Sequence, residues 1–161
     1  MIGVAKNGRE FSFDLDDFET VKRYEWTVAD SGYVEAHVER RTLRMHRLLL
    51  DVDKGEYVDH INGDKTDCRK HNLRISTNRQ NLANKNVGKN NQVGYKGVGY
   101  DKRRGLYYAY IVPDGNKKWL GYYPTPEEAA TAYNKAAAFH FGEYARLNVL
   151  GQPYTTISAA I

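Results

Sequence analysis

Four polar side chains at uneven spacing stand out in the first half of this chain. Asp59 and His60 are adjacent, Asn72 follows His60 by twelve residues, and Asn81 follows Asn72 by nine. A carboxylate, an imidazole and two carboxamides are the groups that hydrolysis of a phosphodiester calls for. It needs a base to activate water, oxygen donors for a cation that offsets the phosphate charge, and neutral groups that orient both. An imidazole titrates near neutrality, so His60 can take the proton of a water molecule. Asp59 and Asn81 offer hard oxygen donors, which suit Mg²⁺ or Mn²⁺ better than zinc. Asn72 can fix the intervening loop or orient the imidazole by hydrogen bonding.

Local signals say how these groups come together. Asn62-Gly63-Asp64 is a strong turn signal, so the polar segment after His60 reads as a loop. Residues 73–76, Leu-Arg-Ile-Ser, read as a short strand. Thr77 and Gln80 have the form of a capping box that starts a helix whose first turns present Asn81. The stretch YVDHINGDKTDCRKHNLRISTNRQNLANK resembles the HNH, or His-Me finger, endonucleases, especially the phage and intron-encoded homing type, in which D-H, N-L-R and N recur at this spacing. The resemblance implies a ββα-metal finger with His60 as general base, Asp59 and Asn81 as metal ligands, and Asn72 beside His60 in the catalytic set as the structural asparagine. The chain departs from that pattern at Cys68, where the family often has asparagine in a D-N-R tripeptide; here it reads Asp67-Cys68-Arg69.

The 161 residues allow one domain or two small ones. A charged fraction of 27% with 41% hydrophobic residues describes a folded globular chain. The net charge of +4 permits a nucleic-acid partner without requiring one. Thirteen tyrosines against five phenylalanines suit surfaces that are half wet. A single cysteine excludes an intramolecular disulfide and a four-cysteine zinc ribbon. No apolar run approaches the roughly 20 residues of a membrane span. No signal-peptide core stands at the N-terminus, so a cytoplasmic setting is expected, in a bacterial host if the gene is a phage's.

Ahead of the finger, 24–28 and 33–38 have strand composition, and residues 45–50 read as a short helix behind the site. Its His46-Arg47-Leu48 matches the H-R-L that commonly precedes the homing-type finger. His46 itself reads as a packing or hydrogen-bonding residue. Arg40, Arg41, Arg44 and Arg47 form a local basic cluster that could hold a DNA backbone. In the finger, Arg74 and Arg79 are candidate phosphate contacts.

After a linker at 84–93, rich in Asn, Gly and Lys, the texture changes. Residues 94–100, 106–112 and 117–123 read as three strands. Thr125-Pro126-Glu127-Glu128 then opens a helix that runs to about Phe141 and ends at Gly142. Alternation puts Tyr107, Ala109 and Ile111 under that helix and Tyr108 and Tyr110 on the free face, with Trp119 nearby. From Asn84 to Tyr123 eight Lys/Arg face two acids, a balance of +6 that exceeds the whole-chain figure. Lys85, Lys89, Lys96, Tyr100, Lys102, Arg103, Arg104, Tyr108, Tyr110, Lys117 and Trp119 are therefore the expected DNA contacts. Residues 95–148 resemble the AP2/ERF DNA-binding domain through Tyr95-Lys-Gly-Val98, Trp119-Leu-Gly-Tyr-Tyr123, Thr125-Pro-Glu-Glu-Ala-Ala130 and Leu147-Asn148. Gly99, Tyr110 and Val112 stand where that family often has Arg, Glu and Arg, so its usual sequence preference does not carry over.

The combined expectation is an α+β chain. A nuclease domain at 1–83 with strands ahead of its ββα-metal finger is joined by 84–93 to a three-stranded antiparallel sheet on one helix at 94–150, with a tail at 151–161. Its function would be metal-dependent endonuclease cleavage of double-stranded DNA, by nicking, in a monomer or weak dimer. The alternative is a catalytically inactive DNA-binding regulator.

Overall fold

Tight turns shape the first eighty residues. β1 (Ile2–Val4) and β2 (Glu10–Ser12) pair antiparallel around a turn in which Gly8 takes φ +78°. After the single helical turn α1 (Phe18–Val21), β3 (Thr27–Val28), β4 (Val34–Val38) and β5 (Arg41–Arg44) form an antiparallel meander in that order. The strand expected at 24–28 is shorter because the Trp26 indole turns inward and donates to the Val21 carbonyl at 2.8 Å. The β4–β5 turn places two non-glycine residues, Glu39 and Arg40, at φ 46° and 66°, the left-handed pair that a two-residue hairpin requires. α2 (Met45–Leu50) follows. Phe11, Phe13, Trp26, Val28, Val34, Met45 and Leu49 build the core, and Cys68 joins it.

Cys68 is the point at which the core grips the segment that carries Asp59, His60 and Asn72. Its thiol is buried, and its backbone N–H donates to the Ser12 carbonyl at 2.8 Å, while Ser12 N–H donates to Thr66 at 2.9 Å. Strand β2 thus holds the loop ahead of Asn72 from both sides. β6 (Tyr57–His60) and β7 (Leu73–Ser76) then pair antiparallel, and α3 (Asn78–Ala83) leaves β7.

The computed structural model describes residues 1–53, 55–88 and 90–153, and the chain divides into two units at Asn81/Leu82. In the second, β8 (Val98–Asp101), β9 (Leu106–Ile111) and β10 (Lys118–Tyr123) form an antiparallel sheet with β9 central. α4 (Pro126–Phe141) packs on it; Thr125 caps the helix by accepting from Glu128 N–H, and Gly142 ends it. Ala109 and Ile111 are buried against Ala129, Ala130, Tyr133 and Ala137, the face that alternation assigned to the helix. A Cβ at Gly97, where φ is +72°, would run into the Tyr133 ring, so only glycine lets the helix come this close.

The first strand of this sheet starts at Val98, later than expected, because side chains organise the residues before it. Asn91 accepts from the N–H groups of Val93 and Gly94 and donates to the carbonyls of Tyr95 and Val98. Asn148 both accepts from and donates to the Lys96 backbone, at 2.7 and 3.0 Å, and Asn134 does the same for Asn148. Of the expected tail, 154–161 lies outside the described residues. The whole is a mixed α/β chain of small antiparallel sheets with few helices.

Candidate active site

The β6–β7 hairpin brings the first three expected groups together. Asp59 lies opposite Arg74 and His60 opposite Leu73, and Asn72 immediately precedes the second strand. The residues between them form a loop closed by its own side chains. Asn72 is buried; its Oδ1 accepts from Asn62 N–H at 2.9 Å and its Nδ2 donates to the Asp67 carbonyl at 2.8 Å. Asn62 and Asp64 each cap the backbone two residues on, and Gly63 turns at φ +78°. Asp67 receives Arg69 on both oxygens at 2.7 Å, and that guanidinium holds its carboxyl below the ordinary carboxylate value. Of the two roles open to Asn72, the geometry is that of the loop clasp.

Asp59 is 4% exposed, and its Oδ2 accepts from Arg74 Nε at 3.0 Å and Nη2 at 2.8 Å. Arg74, expected at a phosphate, is instead committed to this buried ion pair. The register explains it, because residues directly opposite on an antiparallel pair are side-chain neighbours.

His60 is 5% exposed, deeper than a base on an open surface. Its ring meets His46 edge to face at 4.9 Å and Tyr33 at 6.1 Å, and Tyr33 lies 5.1 Å from His46. Burial lowers the His60 pKa to about 4 against the opposing pull of Asp59, Asp64 and Asp67. Burial, then the neighbouring His60 and the charges of Arg44, Arg47 and Lys65, lowers His46 to about 3. Both imidazoles are therefore neutral at pH 7, and His60 is in the form that accepts a proton. His46 Nδ1 is buried without a hydrogen-bond partner among the described residues. Sequence reasoning treated His46 as packing and did not single out Tyr33. The H-R-L tripeptide pointed to the former, and nothing local pointed to the latter.

Asn81 stands half-buried on α3, whose start has the reciprocal capping box expected: Thr77 N–H donates to Gln80 Oε1 at 2.8 Å and Gln80 N–H to Thr77 Oγ1 at 3.2 Å. The Asn81 carboxamide makes no hydrogen bond among the described residues. Asp59 and Asn81 supply only oxygen donors, and among the described residues no cluster of three or more His, Cys, Asp or Glu forms a cage. A carboxylate oxygen and a carboxamide oxygen are the kinds of donor that a hard divalent cation takes. Arg79 is exposed beside Asn81. Arg47, part of the basic cluster, donates to the carbonyls of Glu56 and Asp53 at 2.6 and 2.7 Å.

In the second unit, the free face of the sheet carries a group of rings. Tyr108 stacks on Trp119 at 5.1 Å and 21°, Tyr122 meets Trp119 edge to face, and Lys117 Nζ lies 3.8 Å from the Tyr110 ring. Gly99 allows this, since a Cβ there would strike the Tyr108 ring lying across it. A groove of about 800 Å³ runs beside the rings, lined by Asn86, Asn90, Gln92, Lys102, Tyr108 and Tyr110. Tyr100, Lys85, Lys102 and Arg103 are exposed, whereas Arg104 is paired with Asp101 and lies against Tyr122. Lys96 is held by its own chain, its ammonium donating to the carbonyls of Ala83 and Lys85. Lys89 lies outside the described residues.

Residues 51–83 match a family profile described as HNH endonuclease (HNH_3). The chain is 32% identical over 145 residues to a protein named uncharacterized HNH endonuclease L560 of Acanthamoeba polyphaga mimivirus, covering 86% of this chain and 74% of that one. It is 28% identical over 95 residues to Protein 3.8 of Escherichia phage T7, covering 59% of this chain and 78% of that protein. No solved structure matches it.

Proposed function

This chain belongs to the HNH endonuclease family and hydrolyses DNA, and from that membership we propose that it nicks one strand of duplex DNA with His60 as base. Neutral at pH 7, His60 takes the proton of the attacking water. Asp59 and Asn81 are the ligands we assign to a divalent cation, Mg²⁺ or Mn²⁺. When bound, the cation offsets phosphate charge and stabilises the departing 3′ oxygen. Arg74 orients Asp59, and Asn72 keeps the loop shut so that Asp59 and His60 do not shift at the moment of reaction.

The observation that carries this reading is the hairpin itself, with Asp59 ion-paired and His60 neutral at one end of β6 and Asn72 clasping the loop between the strands. The second unit we read as an AP2/ERF-like platform that grips the duplex through Tyr108, Tyr110, Lys117 and Trp119. Three antiparallel strands on one helix support that reading. One finger per chain implies a nick. Both relatives are proteins of viruses, which fits a viral setting for this chain.

A supercoiled plasmid with Mg²⁺ tests the proposal. The wild-type chain should convert it to the open circle, and His60→Gln, shown folded by its melting curve, should not. A wild-type chain that binds DNA and leaves the plasmid supercoiled would instead make it a regulator.

A further inference from the structure

A bulge assembles the aromatic surface of the second unit. Along β10 the register with β9 slips between Trp119 and Gly121, so that Trp119 stands opposite Tyr110 and Tyr122 opposite Tyr108. Leu120 is the extra residue, and it packs into the core. Regular alternation would send positions 119 and 122 to opposite faces of the sheet; the bulge returns both to the free one. Trp119 is left 49% exposed there and Tyr122 38%.

The rings form a continuous run. Tyr108 lies 6.3 Å from Tyr110 and 5.1 Å from Trp119, and Tyr122 follows at 5.1 Å from Trp119. Lys117 Nζ sits 3.8 Å from the Tyr110 ring, and it makes no hydrogen bond or ion pair among the described residues. Lys102 and Arg103 are exposed with their charges likewise unpaired there. In the adjoining groove, the carboxamides of Asn86, Asn90 and Gln92 make no hydrogen bond among the described residues, whereas Asn91 is committed to backbone.

A fully paired duplex presents phosphates and base edges to a protein, and each base face is covered by the next pair. A ring face carries partial negative charge, which suits neither a phosphate nor a carbonyl edge. Its natural partner is the face of another ring, and DNA offers that only where bases are unpaired. Cations beside the rings then meet the phosphates of the strand, and free carboxamides meet base edges that have lost their pairing partners.

We propose that the β9–β10 ring face stacks unpaired bases, so that the DNA this chain selects is a duplex interrupted by a single-stranded stretch, such as a fork, gap or bubble. The proposal rests on the reading of the second unit as the DNA platform and names the substrate which that platform prefers.

The test compares the affinity of the full chain, without divalent metal, for a paired duplex and for the same duplex with a central bubble of unpaired thymines. The bubble should bind roughly tenfold more tightly. Trp119→Ala and Tyr122→Ala should each weaken the bubble roughly tenfold and the duplex much less, while Trp119→Phe, which keeps a ring, should retain the preference. Oligo(dT) should quench the tryptophan emission of the wild type. It should leave that of Trp119→Ala unchanged, since the tryptophan remaining there, Trp26, is buried. Equal affinity for bubble and duplex overturns the proposal and leaves the platform reading standing; so does an equal loss on both DNAs in Trp119→Ala. A chain that binds neither DNA overturns the platform reading itself.

Discussion

Replacing Asn72 by alanine removes two hydrogen bonds from the closed loop of the finger. One partner, the Asp67 carbonyl, belongs to a buried residue, and the other, the Asn62 N–H, to one that reaches solvent. Stranding a buried polar group costs about 1–3 kcal/mol, and the exposed partner should fall at or below the low end of that range. The expected loss is thus about 2–4 kcal/mol for the N-terminal unit, a drop of roughly 10–20 °C in its midpoint at the sensitivity of a domain this size. The backbone bonds from Ile61 to Asn72 and from Asn72 to Arg69 survive the change, so the hairpin should loosen without unpairing. Each unit contains one tryptophan, Trp26 in the first and Trp119 in the second. Urea melts followed by Trp26 fluorescence in a Trp119→Phe background therefore read the finger alone. Asn72→Asp should be no better than alanine, since it keeps an acceptor for Asn62 but sets an oxygen against the Asp67 carbonyl. If Asn72→Ala melts within about 0.5 kcal/mol of the wild type yet no longer nicks, the clasp argument is wrong and Asn72 acts on the substrate directly.

Acid should unfold the first unit early. His46 and His60 have pKa values lowered from 6.5 to about 3 and about 4, so the unfolded chain binds more protons in that range. Their contribution is complete above pH 6.5 and is lost as pH falls towards the folded values, at up to about 1.4 kcal/mol per pH unit for each imidazole. Denaturant midpoints that stay level between pH 7 and pH 5 would contradict the burial of these rings. Arg74→Met removes the ion pair of the buried Asp59 carboxylate and should cost about 3 kcal/mol; Asp59→Asn in the same chain should recover part of it, and melts of Arg74→Met and of the double variant show whether it does. At the β4–β5 turn, Glu39→Asn with Arg40→Gly should raise the melting point, because left-handed backbone costs ordinary residues roughly 1 kcal/mol each; an unchanged or lower midpoint would mean that those side chains stabilise the turn.

The features legible in the sequence are those whose causes are local. Thr77 and Gln80 announced a capping box and formed one; Thr125-Pro126 announced α4 and its start; Gly142 announced its end. Alternation assigned Ala109 and Ile111 to the helix side because a strand's two faces follow from its period alone. What stayed hidden depends on contacts across the chain. Tyr33 and His46 reach His60 through the packing of the meander, α2 and the hairpin, and no spacing rule joins positions 33, 46 and 60. Arg74 looked like a phosphate contact because an arginine beside a nuclease motif has a ready use. Only the register, set across a twelve-residue loop, reveals Asp59 as its partner. Lys96 is similar: its charge is legible in the sequence, and the two backbone carbonyls it donates to are not.

Those carbonyls point to how a chain of such short elements stays folded. Strands of two to six residues leave many backbone groups without a ladder partner, and buried ones must be paired somewhere. A carboxamide carries the same donor and acceptor as a peptide group, so an asparagine side chain can take the place of an absent strand. Asn72 does this between the ends of the finger loop, Asn91 for the turn before β8, and Asn148 with Asn134 for the backbone at Lys96. The device has a functional consequence. A helix or longer strand could close the loop equally well, but it would take up residues of the segment that carries Asp59 and His60. Closing it with one buried side chain leaves the surrounding positions open to chemistry.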